Sequence, residues 1–281
     1  NKVIHNPSRK LTSLSDKIFP LRKLRRNKYR LSFKGIDLGY HIDFMATSRG
    51  CPFSCKFCTF SKNPLGEKRP WSGRSPESII AELKTIEAEM IMLVDDNFAV
   101  DLERVEQICD LIQEEGIKKL FMLALRLEIC ERPDILKKMY EAGFRILSFG
   151  IESAKDKTLK EINKGFDISS VRKAFQIIAK YNFYSHSYFI VGNIGENEED
   201  MLKISGFAKE IGIDTLGLSI LRTEKYSPLN DVIKDSDGYY IGADNGVYSQ
   251  KYGKKELKRI RKRIHNRFYT PLQCLKIARK T

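Results

Sequence analysis

The sequence predicts an α/β protein: a partial (β/α)6 barrel of the TIM type, led in by a basic linker and ended by a C-terminal helix. Three observations predict it. Short apolar runs alternate with amphipathic stretches six times along the centre of the chain. The repeat is about 30 residues long, the length a right-handed parallel crossover needs. The repeats together cover about 180 of the 281 residues, whereas a complete eight-unit barrel takes roughly 250.

The elements follow in order. A strand at 42–47 (IDFMAT) runs into a cysteine-rich loop, and a helix over about 75–89 is opened by Ser75-Pro76-Glu77. A strand at 90–95 (MIMLVD) leads to a helix at 101–115, with Asp101 as its N-cap and Gly116 behind it. Next come a strand at 119–125 (KLFMLAL) and a helix at 133–142 ended by Gly143. A strand at 145–150 (RILSFG) precedes helices at about 155–163 and 168–181. A strand at 186–191 (HSYFIV) precedes a helix at 197–211 ended by Gly212, and the last strand is 215–220 (TLGLSI). The first five strands are apolar enough to be buried on both faces. No G-x-G-x-x-G follows any of them, which weakens a dinucleotide-binding sheet. The resulting division is a lead-in over 1–40, a core over 41–225 and an extension over 226–281.

The net charge of +14 is not spread evenly. Residues 1–34 carry +10 and residues 251–281 carry +11, so the stretch 35–250 carries −7. A basic face therefore does not organise the chemistry of the centre. Residues 254–281 read as one basic helix with Leu257, Ile260, Ile264 and Phe268 on a single face. Docking of that face is the simpler reading, with a peripheral membrane contact as the other use of such a helix. Nucleic acid is disfavoured, because aromatic residues for base stacking are sparse in both basic ends. No apolar run reaches 18 residues and no secretory signal is present.

Cys51, Cys55 and Cys58 crowd into eight residues; Cys109, Cys130 and Cys274 are scattered. Such a pattern suits a cytoplasmic protein with one thiolate cluster rather than a disulfide framework. The loop Arg49-Gly50-Cys51-Pro52-Phe53-Ser54-Cys55-Lys56-Phe57-Cys58 has the spacing C-x-x-x-C-x-x-C. A structural zinc ion prefers four ligands in paired knuckles, and no second pair exists. Three soft ligands without a fourth suit a cubane iron–sulfur cluster that leaves one iron open.

That loop, with Phe57 as the aromatic before the last cysteine, resembles the radical S-adenosylmethionine (SAM) superfamily. Val94-Asp95-Asp96-Asn97-Phe98, Ala142-Gly143-Phe144 and Phe149-Gly150-Ile151-Glu152-Ser153 extend the likeness to the branch that usually follows a cobalamin-binding domain. The resemblance covers about residues 30–270. It implies a 4Fe–4S cluster on Cys51, Cys55 and Cys58, with SAM on the remaining iron. Reductive cleavage of SAM then starts radical chemistry, either methyl transfer or C–C and ring formation, on a small or lipid-like metabolite. The implied electron donor is a flavodoxin or ferredoxin. The implied cobalamin is held by a domain outside this chain, expected upstream because the chain opens at Asn1 and residues 1–34 read as a linker.

The polar residues just past each strand form one ring at the barrel mouth. By position in the family pattern, Asp96 and Asn97 meet the methionyl amino group, and Arg126 faces the SAM carboxylate. Glu152 contacts ribose or amino group with Ser153 beside it, and Phe57, Gly192 and Leu221 flank the adenine. The catalytic residue for substrate is not assigned. Two departures bear on substrate identity. After the fifth strand the chain reads Gly192-Asn193-Ile194-Gly195-Glu196-Asn197 where the branch usually has G-L-P-G-E-T. After the sixth it reads Leu221-Arg222-Thr223-Glu224-Lys225-Tyr226-Ser227-Pro228 where P-x-P-G-T is common. Two other functions fit less well: a tRNA-modifying methyl- or methylthiotransferase, and a zinc-stabilised RNA-binding module, which would show steep salt dependence.

Overall fold

The computed structural model describes residue 14 and residues 18–33, 36–63 and 65–280. β1 (Tyr29–Phe33) and β2 (Ile36–Met45) form an antiparallel hairpin, and the short pair β3 (Ser48–Arg49) and β4 (Ser72–Gly73) brackets the cysteine loop. α1 (Pro76–Leu83), β5 (Met90–Leu93), α2 (Leu102–Glu114), β6 (Leu120–Leu125) and α3 (Pro133–Glu141) follow. Then come β7 (Phe144–Glu152), α4 (Asp156–Glu161), α5 (Ile168–Ile178), β8 (Tyr184–Val191), α6 (Glu198–Glu210) and β9 (Thr215–Ile220). The chain closes with α7 (Leu229–Lys234), the hairpin β10 (Tyr239–Ile241) and β11 (Val247–Ser249), α8 (Lys254–Phe268) and α9 (Pro271–Ala278).

The main sheet has the order β1-β2-β5-β6-β7-β8-β9, and every pairing from β2 onward is parallel. Each strand neighbours the one before it in the repeat, so the twist accumulates in one direction and the sheet curls into a half-barrel. The six expected strands are all present, in their expected order. The convex face carries large apolar side chains into the helix layer. Phe149 meets Phe175 of α5 at 5.6 Å edge to face, and Phe189 meets Phe207 of α6 at 6.4 Å. The alternate residues point to the concave face, where Phe44 and Tyr188 stay exposed. Ser75 and Asp101 cap their helices as expected, accepting from the Ser78 and Arg104 N–H groups.

Four features differ from the sequence reading. The boundary expected at 40/41 falls inside β2, and the first half of that strand pairs with β1. The part of the lead-in that is described is docked, not trailing: Arg22 pairs with Asp43 at 3.0 Å and Glu82 at 2.5 Å, and Arg74 lies over the Phe19 ring. The first helix stops at Leu83 rather than 89, and Lys119 Nζ donates to the carbonyls of Ile86 and Ala88 that the helix no longer serves. The C-terminal helix is two, because Pro271 has no N–H to continue α8 and Thr270 starts α9 as its N-cap.

Leu257, Ile260, Ile264 and Phe268 are all buried, packed into the main core. The apolar stripe of α8 is thus consumed in docking, and its solvent face is basic. Phe268→Ala is expected to cost about 3–5 kcal/mol, read by urea unfolding, while Lys262→Ala on the outer face should stay within about 0.5 kcal/mol. Among the described residues, no helix is long and apolar enough to cross a membrane.

Candidate functional site

The cysteine loop leaves the C-terminal end of β2 and is fastened on several sides. Asp95, just past β5, is buried and accepts hydrogen bonds from the Thr47 N–H at 2.6 Å, the Thr47 hydroxyl and the Ser48 hydroxyl. Burial pushes its carboxyl above the usual range, and those donors work against the rise. Asp96 accepts from the Gly50 N–H at 2.7 Å. Gly50 sits at φ +88° against the Pro70 carbonyl, a conformation and a spacing that suit glycine. On the far side, the Lys56 N–H donates to the Ile162 carbonyl at 2.9 Å, and Asn163 Nδ2 donates to Ser54. The Ser227 hydroxyl and the Leu229 N–H both donate to the Lys56 carbonyl.

Cys51 and Cys55 are buried and Cys58 is half-buried. Burial pushes the Cys51 thiol up and the Cys58 thiol up to about 11, so ligation as thiolates has to be driven by the metal itself. Among the described residues, no three His, Cys, Asp or Glu side chains converge closely enough to hold one metal ion. A cubane offers each cysteine a different iron and leaves one iron open.

Arg126, past β6, stands against this loop. Its Nη1 lies 3.5 Å from Cys55 Sγ, and its guanidinium stacks 3.8 Å from the Phe53 ring centroid. Its Nε and Nη2 fork onto Glu128, and Nη2 also reaches the Lys164 carbonyl at 2.5 Å. The Arg126 fork, expected toward a SAM carboxylate, is held here by Glu128. What remains is a fixed positive charge beside the thiolates.

Glu152 ends β7 at φ +73°, a left-handed conformation that costs a non-glycine residue on the order of 1–3 kcal/mol. A bulge between Gly150 and Glu152 accompanies it and turns the carboxylate onto Lys164 Nζ at 2.9 Å. Both side chains are about nine-tenths buried. Gly150 leaves the necessary room, since a Cβ there would collide with that carboxylate. Lys164 was not singled out from the sequence. Its local signal was Asn163-Lys164-Gly165, a turn whose flanking residues both take positive φ.

The remaining candidates separate. Asn97 is buried, and its Oδ1 has no hydrogen-bond partner among the described residues, leaving an acceptor suited to an ammonium group. Phe57 packs against the small core to which Leu221 belongs. Ser153 is spent internally: its hydroxyl donates to Glu196 at 2.7 Å, and burial pushes the Glu196 carboxyl up. Gly192 at φ +86° is covered by Leu257 of α8, 2.8 Å from where a Cβ would stand, a close approach that leaves no room for a side chain. The donor set and the orphaned Asn97 acceptor fit a cluster with SAM beside it.

A half-barrel with a fastened three-cysteine loop at the C-terminal mouth defines a class, and comparison with known proteins names it. The family model described as the Radical SAM superfamily matches residues 45–208. The chain belongs to that superfamily, is an enzyme chain, and uses the family's 4Fe–4S cluster and SAM. It is 31% identical over 220 residues to an uncharacterized methyltransferase of Pyrococcus horikoshii, covering 76% of this chain and 46% of that protein. It is 26% identical to the hopanoid C-2 methylase of Rhodopseudomonas palustris, covering 73% of this chain and 40% of the methylase. In fold it resembles the radical SAM methyltransferase TsrM of Kitasatospora setae, solved with cobalamin and a [4Fe–4S] cluster. The TM-score is 0.62 at 14% identity, covering 73% of this chain and 43% of TsrM. The chain thus spans less than half the length of these relatives.

Proposed function

We propose that this chain is the radical-generating part of a cobalamin-using enzyme that methylates, or closes a ring on, a small or lipid-like metabolite. The observation that carries the radical step is the fastened loop of Cys51, Cys55 and Cys58 with Arg126 against it and the Glu152–Lys164 pair on the same mouth. When bound, the cluster supplies the electron that splits SAM to methionine and a 5′-deoxyadenosyl radical. The residues present divide the remaining work. The three cysteines hold the cluster, and Arg126 offsets its negative charge. Asn97 and Glu152 are placed for the ammonium and hydroxyl groups of SAM, and Phe57 offers the adenine an apolar flank. The fastened loop keeps Cys51 and Cys55 from water.

The methyltransferase and methylase relatives support methyl transfer, and the cobalamin-bound structural neighbour supports a corrin partner. The six unpaired thiols suit a cytoplasmic setting, where an acidic flavodoxin or ferredoxin is available as reductant. The outer face of α8 offers a basic surface charge but no apolar stripe. Cobalamin use is tested by purifying the whole natural polypeptide after growth with hydroxocobalamin. The expected result is about one corrin per polypeptide by absorbance, with none on residues 1–281 alone, because methyl transfer needs the corrin held against this mouth. Absence of corrin from the whole polypeptide would move the reading to hydrogen abstraction without cobalamin.

A further inference from the structure

We infer that the hairpin directly after the cluster cysteines is the docking face for an acidic one-electron carrier protein. This rests on the proposed function, which requires one electron per SAM cleaved, and adds where that electron arrives. Cys58 is the least buried of the three ligands, and the Phe60 N–H lies 3.5 Å from its sulfur. The chain then folds back on itself, with Lys62 bridged to Lys68, Arg69 N–H donating to the Ser61 carbonyl at 2.8 Å, and Asn63 N–H to that of Glu67. Asn63 also binds the Glu67 carboxylate through Nδ2 at 2.7 Å, which occupies the one acid of the segment.

This hairpin presents the composition of a transient redox contact. Phe60 and Leu65 are 53% and 48% exposed, and Lys68 is exposed beside them. Lys225 lies exposed on the next turn, 4.9 Å above the Tyr226 ring, and Lys62 ties the two segments by donating to the Tyr226 carbonyl at 2.7 Å. Residues 54–70 carry four cations and one acid, +3, within a stretch 35–250 that carries −7. A positive, partly apolar face directly beside the Cys58 ligand favours an acidic partner at the cluster edge, where the electron has to arrive. Electron-transfer encounters are small and weak, so a patch of this size suffices. The carrier is oxidised by one electron, the cluster is reduced by one, and no atom is exchanged.

The test uses the 281-residue chain and an acidic flavodoxin as the carrier. Binding of oxidised flavodoxin is measured by calorimetry at low and high salt, with no turnover. Lys68→Glu with Lys225→Glu is expected to weaken binding roughly 10-fold or more at low salt and to flatten its salt dependence, while Lys173→Glu on α5 leaves both unchanged. The same double variant should slow 5′-deoxyadenosine release driven by reduced flavodoxin by a similar factor, yet match the parent with dithionite. Parent-like flavodoxin binding by the double variant, or equal weakening by Lys173→Glu, would overturn the docking face. Failure of the parent to cleave SAM with dithionite would overturn the proposed function instead, and the binding arm would still decide this inference.

Discussion

Replacing any one of Cys51, Cys55 and Cys58 by alanine is expected to take the iron of anaerobically reconstituted protein from about four per chain to near none. Three thiolates are the fewest that hold a cubane with one iron left for SAM, so the loss of one leaves two corners unheld. Alanine at Cys109, Cys130 or Cys274 should keep the full iron content. Cys109 and Cys130 are core residues whose thiols burial pushes up, the latter to about 12, and Cys274 is exposed far along on α9. Iron and sulfide assays on the six variants check this. Stoichiometric zinc in place of iron would contradict it.

Lys164→Met should be the most damaging substitution at the mouth outside the cysteines. It strands the Glu152 carboxylate in a buried position, at a cost of about 3–5 kcal/mol. Glu152→Gln combined with Lys164→Met removes both charges and should restore most of that stability, read as the urea midpoint. SAM affinity should not return with it, since the carboxylate proposed to meet the cofactor is gone; a loss of roughly 10-fold or more is expected by equilibrium dialysis. A double variant that is as unstable as Lys164→Met would show that packing, rather than the ion pair, sets the cost.

The fold was legible where one face of each element is buried. The six parallel strands, the caps Ser75 and Asp101 and the stripe Leu257–Ile260–Ile264–Phe268 all announce themselves through periodicity and end residues. What was hidden had a weaker period or depended on distant partners. β1 and the first half of β2 carry mixed polar residues, because their outer surfaces meet solvent, and they read as linker. The break at Thr270-Pro271 was visible and was outweighed by the charge pattern on either side of it.

The site divides in the same way. Local spacing disclosed the cysteines, and strand ends disclosed the positions of Asp96, Asn97, Arg126 and Glu152. Whether a side chain faces a ligand or a neighbour often depends on residues more than 40 positions away, which spacing does not encode. Ser153 turned to Glu196, Arg126 to Glu128 and Cys55, and Asp95 to Thr47 and Ser48. Lys164 escaped because a buried lysine looks like any surface lysine until its partner Glu152 is known.

The central claim is that this mouth holds a cluster able to cleave SAM, and one measurement tests it most directly. Reconstituted protein is mixed anaerobically with SAM and dithionite, and 5′-deoxyadenosine and methionine are quantified by chromatography. The account predicts slow, equimolar release of both products, even without substrate, and none from the Cys55→Ala variant. Intact SAM after hours with protein that holds its full complement of iron would contradict it.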